Sequence, residues 1–122
     1  MTVARKLQIP PASTVVVLGL PAHVDLAIPD DCLVLSDPAE ATEAQAVVGF
    51  LVRSEDLDEV SGPVIEAARE DRLAWIAYPK ARQLGTDLNR DVLARLVEAR
   101  GAQPVRSVSI DSVWSALRFR PL

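Results

Sequence analysis

Short apolar runs recur along the chain, separated by more polar segments, which is the pattern of buried strands alternating with helices. The runs predict six strands, at residues 14–18, 32–35, 46–52, 73–78, 105–110 and 113–120. Apolar stripes of helical spacing at residues 57–68 and 88–97 predict two helices between strands. Gly62-Pro63 interrupts the first stripe, so that helix either kinks or begins a second piece at Pro63. Pro21–Ile28 is expected to add one or two helical turns.

Strands that alternate with helices favour a parallel sheet with right-handed crossovers. The last strand follows a tight turn at Asp111-Ser112, which makes it antiparallel to its neighbours. A C-terminal helix beginning at Asp111 is the alternative for this segment. We therefore predict a reduced Rossmann-like α/β fold of three layers, α/β/α. Its sheet is mostly parallel, with strand order 2-1-3-4-6-5 and an antiparallel last strand.

The 122 residues are long enough for one domain with one core. Residues 1–12 are expected to form an extended arm, because Pro10-Pro11 favours extended backbone. No apolar run reaches the length that crosses a bilayer, and no signal peptide is apparent. These features predict a cytoplasmic protein that does not bind membranes.

Charge and rare residues narrow the function further. The net charge of −4 argues against nucleic-acid binding, which needs a basic face. Residues 1–59 carry ten acidic and three basic residues, whereas residues 60–122 carry seven acidic and ten basic ones. This asymmetry is compatible with head-to-tail self-association, with an anionic ligand near the second half, or with solvated surface alone. The chain has one cysteine, Cys32, so it cannot form an internal disulfide. It has one histidine, His23, which argues against a metal site.

Ligands of open parallel sheets bind beyond the carboxyl ends of the strands, where the strand order reverses. Four candidate ligand-binding residues follow predicted strands there: Gly19, Asp37, Lys80 and Asp111. Gly19 is the only glycine of its loop, and Pro21 lacks the N–H that a phosphate would accept from. The loop therefore argues against ordinary mononucleotide or dinucleotide binding. Asp37 either accepts hydrogen bonds from ribose hydroxyls or stabilises a turn before Pro38.

A second group of candidates surrounds the predicted helix at residues 87–100. Thr86 and Asp87 open this helix, and Arg90 lies in its first turn. An anion could lie between Lys80 and the helix N-terminus. The simpler interpretation is that Thr86 or Asp87 caps the helix and Arg90 is solvated.

Asp111 and Trp114 form the last candidate cluster. Asp111 is expected to stabilise its turn, and Trp114 to seal the sheet edge against the helix at 87–100. In the functional alternative, Trp114 forms a stacking wall beside a ligand bound at Lys80. No dyad of catalytic residues is apparent, so no catalytic residue is predicted.

Three motifs carry a resemblance: the strand from Trp75 to Lys80, the TDLNRDV segment at 86–92, and DSVWSALRF at 111–119. They resemble the ending of a family of small bacterial α/β proteins of unknown function. The whole layout is also similar to a reduced class I methyltransferase, which shares the βα alternation and the antiparallel last strand. That likeness implies that S-adenosylmethionine binds at Gly19, Asp37 and Lys80. The chain departs from the pattern by lacking the glycine-rich loop and one βα unit.

The preferred functional prediction is a non-catalytic α/β domain, without a cofactor, that binds a small ligand or a protein partner and could form a homodimer. The first alternative is a minimal S-adenosylmethionine-dependent methyltransferase-like enzyme. The second is a sensor of a small anion at Lys80. A concave site at the carboxyl edge between the first and third strands would favour the ligand-binding alternatives, and a filled edge would favour protein contact.

Overall fold

A computed structural model describes all 122 residues and contains one six-stranded sheet in the order β2-β1-β3-β4-β6-β5. The strands are β1 (Thr14–Leu18), β2 (Leu33–Leu35), β3 (Ala46–Phe50), β4 (Leu73–Pro79), β5 (Ala102–Ser109) and β6 (Trp114–Pro121). The α-helices are α1 (Val3–Lys6), α2 (Leu57–Arg69) and α3 (Arg90–Glu98). Short 3₁₀ helices are Pro38–Glu43, Ser54–Asp56 and Gln83–Gly85.

The strand order confirms the predicted α/β fold. Strands β2, β1, β3 and β4 are parallel, and β6 pairs antiparallel with both β4 and β5. The alternative of a C-terminal helix from Asp111 is wrong, because the segment completes the sheet between β4 and β5.

Alternate residues of the strands supply two cores, one on each face of the sheet. Val16, Val47, Ile76 and Leu117 pack under α2 and α3 on one face. Gly49 faces the same side, where a Cβ would lie 3.1 Å from the Cβ of Val60. The strand thus carries glycine where α2 crosses it most closely.

The opposite face has a thinner cover of one short helix and irregular chain. Ala4, Leu7 and Ile9 are buried there together with Val24 and Leu26. The prediction of an extended arm at residues 1–12 is therefore corrected, because burial of this apolar stripe favours the α1 turn. The predicted helical turns at Pro21–Ile28 are also wrong. That segment makes only a turn, with the Val24 N–H donating to the Pro21 carbonyl over 3.1 Å.

Helix α2 runs through Pro63 from Leu57 to Arg69, so the interruption at Gly62-Pro63 does not end it. Strand β3 ends at Phe50, two residues earlier than predicted. Ser54 is of a residue type that often caps helices, but here it is the first residue of the 3₁₀ turn before α2. Its side chain is engaged elsewhere, at the carboxyl edge of the sheet.

Candidate functional site

The carboxyl edge of the parallel strands gathers most of the predicted ligand-binding residues. Strands β1, β2 and β4 end at Leu18, Leu35 and Pro79, immediately before the loops that carry Gly19, Asp37 and Lys80. The loop before α3 and the turn between β5 and β6 reach the same edge. The hydrogen bonds of each residue show what its side chain does there.

Gly19 fits the turn after β1 because of its backbone conformation. Its φ is +70°, and a Cβ would lie 3.3 Å from the Phe50 carbonyl oxygen. Both facts favour glycine, since a side chain at this φ strains the backbone. The glycine therefore lets the first loop pass close against the end of β3, which is the point where the strand order reverses.

Asp37 acts as a cap. Its Oδ1 accepts a 2.9 Å hydrogen bond from the Ala39 N–H and so opens the 3₁₀ helix at Pro38–Glu43. This is the turn role that the sequence offered as the alternative to binding ribose.

Asp87 and Ser54 join two loops at this edge. Asp87 accepts a 2.8 Å hydrogen bond from the Ser54 N–H and a second hydrogen bond from the Ser54 hydroxyl. The hydroxyl donor first, and the backbone donor second, hold the pKa of Asp87 below its ordinary value of 3.8. Arg53 adds a 2.6 Å bond from its guanidinium to the Gly85 carbonyl.

Thr86 completes this connection. Its hydroxyl donates to the Val52 carbonyl and accepts a 3.0 Å bond from the Leu88 N–H. The prediction that Thr86 or Asp87 caps the helix is thus corrected: α3 begins at Arg90, and its N-cap is Asn89, whose Oδ1 accepts from the Val92 N–H over 2.9 Å. Thr86 and Asp87 instead tie the loop before α3 to the loop after β3.

Lys80 is hydrogen-bonded to the end of β5 and to the turn that follows it. Its Nζ donates a 2.8 Å bond to the Ser109 hydroxyl, and its backbone N–H donates to the Val113 carbonyl over 2.7 Å. Arg90 lies at the exposed first turn of α3, with its guanidinium 3.5 Å from the Asp91 carboxylate. The one hydrogen bond of the Lys80 ammonium is thus made to β5, and the anion site between Lys80 and the helix N-terminus stays an untested expectation.

Asp111 stabilises its turn as predicted. Its Oδ1 accepts 2.8 Å bonds from the N–H groups of both Val113 and Trp114. Trp114 is buried, but on the face opposite α3, where its ring meets Phe50 edge-on with centroids 5.1 Å apart. The prediction that Trp114 seals the edge against the helix at 87–100 is corrected, because the β6 alternation turns it to the other face.

The side chains of Asp37, Lys80 and Asp87 at the carboxyl edge thus each form hydrogen bonds within the chain. Three concave regions occur, of about 510, 720 and 560 Å³, and none is lined by Gly19, Asp37, Lys80 or Asp87. The second and third are both lined by Arg100, which follows α3. The first lies beside β2 and is lined by Thr14, Leu33, Leu35, Ala39, Glu40, Thr42 and Glu43.

Strand β2 and its flanking carboxylates form the least covered part of the sheet. Leu33 and Val34 point to opposite faces and are 58% and 48% exposed. The surrounding carboxylates are Asp30, Asp31, Asp37, Glu40 and Glu43, and none of them has a basic partner within 4.0 Å. We call β2 with these five residues the acidic edge.

Sequence reasoning missed both the acidic edge and the role of Ser109. The run Cys32–Leu35 is typical of a buried strand, and only the shortness of the segments on either side signalled that little would cover it. Ser109 carried no signal, because Lys80 lies 29 positions away and comes near only when β6 is inserted between β4 and β5.

The six-stranded mixed sheet, with helices packed on it, defines a Rossmann-like α/β protein of methyltransferase-like topology. A crystal structure of a SAM-dependent methyltransferase from Aquifex aeolicus is similar, with a TM-score of 0.56 and 11% sequence identity. The match covers 98% of this chain and 88% of that one. No protein-family model and no curated protein sequence matches the chain, so the resemblance to small bacterial proteins stays a prediction. None of its helices has both the length and the apolar character needed to span a membrane.

An Asp87→Asn variant is expected to unfold at lower urea concentration than the natural chain at pH 7. Because the pKa of Asp87 is lowered on folding, its stabilising contribution is complete above about pH 5 and is lost as the pH falls through the folded pKa, below 3.8. Urea midpoints between pH 7 and pH 2.5 measure the difference, which should shrink in acid. Asp30→Asn, at an exposed carboxylate without a partner, is the control. A difference that stays constant with pH would contradict this role.

Proposed function

We propose that this chain is a non-catalytic α/β domain that binds a protein partner at the acidic edge. The partner would contribute an extended segment carrying basic and apolar side chains. The observation that carries the proposal is the exposure of β2 on both faces, beside five carboxylates without basic partners.

The apolar side chains support binding of another polypeptide. Parallel sheets ordinarily have both faces covered by their crossover helices. Here the segment from 19 to 32 contains no helix, and the crossover after β2 contains only the 3₁₀ helix Pro38–Glu43. Leu33 and Val34 are therefore left in water, where a partner that covered them would gain from apolar burial.

The backbone of β2 also has free hydrogen-bonding groups. The Leu33 N–H donates to the Ser13 carbonyl over 3.0 Å, which turns it towards β1 and leaves the Val34 N–H and carbonyl on the free edge. An added strand could pair with these groups. The other edge strand, β5, is protected by Pro104, by an irregularity between Pro104 and Arg106, and by the charge of Arg106.

Charge selects among partners. The carboxylates of the acidic edge would attract a basic segment and repel another acidic one. A homodimer formed by two β2 strands would bring two acidic edges together, which disfavours it. The occupant we propose is therefore a different, basic polypeptide.

S-adenosylmethionine binding, the alternative function, has less support. No concave region lies among the residues that the layout would assign to such a ligand, and the Asp37 carboxylate caps the 3₁₀ helix Pro38–Glu43. The likeness to the Aquifex aeolicus enzyme, at 11% identity, concerns the fold.

A fluorescent octapeptide of alternating lysine and valine is the probe for this proposal, with a glutamate–valine octapeptide as its acidic counterpart. Anisotropy titrations should give saturable binding of the basic peptide only. The double variant Glu40→Gln/Glu43→Gln should bind it roughly fivefold more weakly, since exposed charge pairs contribute up to about 1 kcal/mol each. Leu33→Ser should weaken it as well, through lost apolar burial.

The matched control is Glu59→Gln/Glu98→Gln, which removes the same charge from exposed, unpaired positions of the two long helices. Equal weakening by both double variants would mean that the peptide senses only net charge, and the proposal would fail. It would also fail if the peptide did not bind, or if sedimentation showed a self-associated chain that Leu33→Ser returned to monomer.

A further inference from the structure

Ser109, the last residue of β5, accepts hydrogen bonds from both lysines of the chain. Lys6, at the end of α1, donates from Nζ to the Ser109 carbonyl over 3.1 Å. Lys80, just after β4, donates from Nζ to the Ser109 hydroxyl over 2.8 Å. The fold thus brings together two ammonium groups that lie far apart in sequence, and both side chains belong to half-buried residues.

Neither ammonium group has a carboxylate partner. All five ion pairs of the chain use arginine, and no carboxylate oxygen lies within 4.0 Å of either lysine. Asp111 is close in sequence, but its Oδ1 accepts from the N–H groups of Val113 and Trp114. The two positive charges are therefore held near one residue by neutral oxygens, and their mutual repulsion is not offset by a direct ion pair.

The hydrogen-bonding capacity of this group is also incomplete. An ammonium has three N–H donors, and each lysine uses one of them on Ser109. The remaining lysine donors could bond to the oxygens of one anion placed between the lysines, while the Ser109 hydroxyl, which donates to the Asp111 carbonyl over 3.3 Å, only positions Lys80. Two unit charges match a doubly charged oxyanion better than a halide, which has one charge and no fixed geometry.

We propose that Lys6, Lys80 and Ser109 form a binding site for a phosphate dianion, either free or as a phosphate monoester. This two-lysine site lies at the far side of the sheet from the acidic edge and is independent of the proposed partner. The anion site expected from the sequence lies between Lys80 and the start of α3. In the proposed site, Lys80 is instead joined by Lys6 of α1 and Ser109 of β5.

Titration of the ¹⁵N-labelled chain with inorganic phosphate and with phenyl phosphate tests the site, with sodium chloride used to hold ionic strength constant. Saturable shifts of the Ser109 amide signal are expected at one equivalent of bound anion. Lys6→Gln and Lys80→Gln should each weaken binding roughly fivefold, as expected for the loss of one exposed charge contact. Comparison of the two phosphates shows whether the free ion or the monoester is preferred.

Arg95→Gln is the matched control, because it removes one positive charge from an exposed, unpaired position on α3, at the opposite face of the sheet. Its phosphate affinity should equal that of the natural chain. Binding that is no stronger than that of chloride, or that falls equally in Arg95→Gln, would overturn the proposal. If circular dichroism shows that Lys80→Gln does not fold, Lys6→Gln and Ser109→Ala replace it. Both should weaken phosphate binding, and unchanged affinity in both would overturn the proposal.

Discussion

A Trp75→Ala variant is expected to lose about 3–5 kcal/mol of unfolding free energy, the range measured when large buried aromatic side chains are truncated. Trp75 is 0% exposed at the centre of the thinly covered face. Its Nε1 donates a 3.0 Å hydrogen bond to the Leu7 carbonyl, which fastens the N-terminal segment to the sheet. Such a loss would consume much of the roughly 5–15 kcal/mol that is typical of a domain, so urea unfolding should show a large shift.

Two further variants separate packing from the hydrogen bond. Trp75→Phe keeps an aromatic ring but leaves the Leu7 carbonyl without its donor, so we expect an intermediate loss of about 1–3 kcal/mol. Val105→Ala, at an exposed position of β5, should stay within about 0.5 kcal/mol of the natural chain. If Trp75→Ala lowers the unfolding free energy by no more than Val105→Ala does, residues 3–9 do not cover this face of the sheet.

Gly49→Val is expected to cost about 1–3 kcal/mol through overpacking between β3 and α2. A Cβ at Gly49 would meet Val60 Cβ at 3.1 Å and Val64 Cγ2 at 3.3 Å, so α2 would have to move away from the sheet. Urea unfolding measures the loss, and Gly49→Ala should give a smaller one because it adds only the first carbon.

Gly62→Ala is the contrasting control. Gly62 lies in α2 with helical backbone, and an added Cβ would meet no atom of the sheet or of another segment within 4 Å. Alanine there should change the stability by no more than about 0.5 kcal/mol, because its better helix propensity is opposed by the contact of its Cβ with the Cδ of Pro63, the next residue. Destabilisation of similar size in Gly62→Ala and Gly49→Val would contradict the close approach as the cause.

The apolar runs were sufficient to predict the sheet. The apolar runs at residues 14–18 and 46–52 predicted two strands, and both are buried inside the sheet; along β6, Leu117 and Trp114 lie on opposite faces. These features could be predicted because burial acts on each strand locally, through a period of two residues. The same reasoning predicted the turn role of Asp111, whose partners are two and three residues away.

Polar contacts between distant segments could not be predicted in this way. Thr86, Asp87 and Asn89 are all residue types that cap helices, and the choice of Asn89 follows from the engagement of Asp87 with Ser54, 33 positions away. Lys6 and Ser109 are 103 positions apart, and no local pattern connects them. The helix α1 is too short to give a periodic signal, and its burial depends on the face that the sheet leaves open.

The proposed function places binding at the acidic edge, whereas S-adenosylmethionine binding would place it at the loop that carries Gly19. One ¹⁵N–¹H correlation experiment distinguishes the two, in which the labelled chain is titrated first with the lysine–valine octapeptide and then, separately, with S-adenosylmethionine. We expect saturable peptide-induced shifts at Val34, Leu35 and Glu40, and no saturable shift from S-adenosylmethionine at Gly19 or Leu20. Saturable shifts from S-adenosylmethionine at Gly19 and Leu20, with none from the peptide along β2, would rule out binding at the acidic edge and favour the methyltransferase-like alternative.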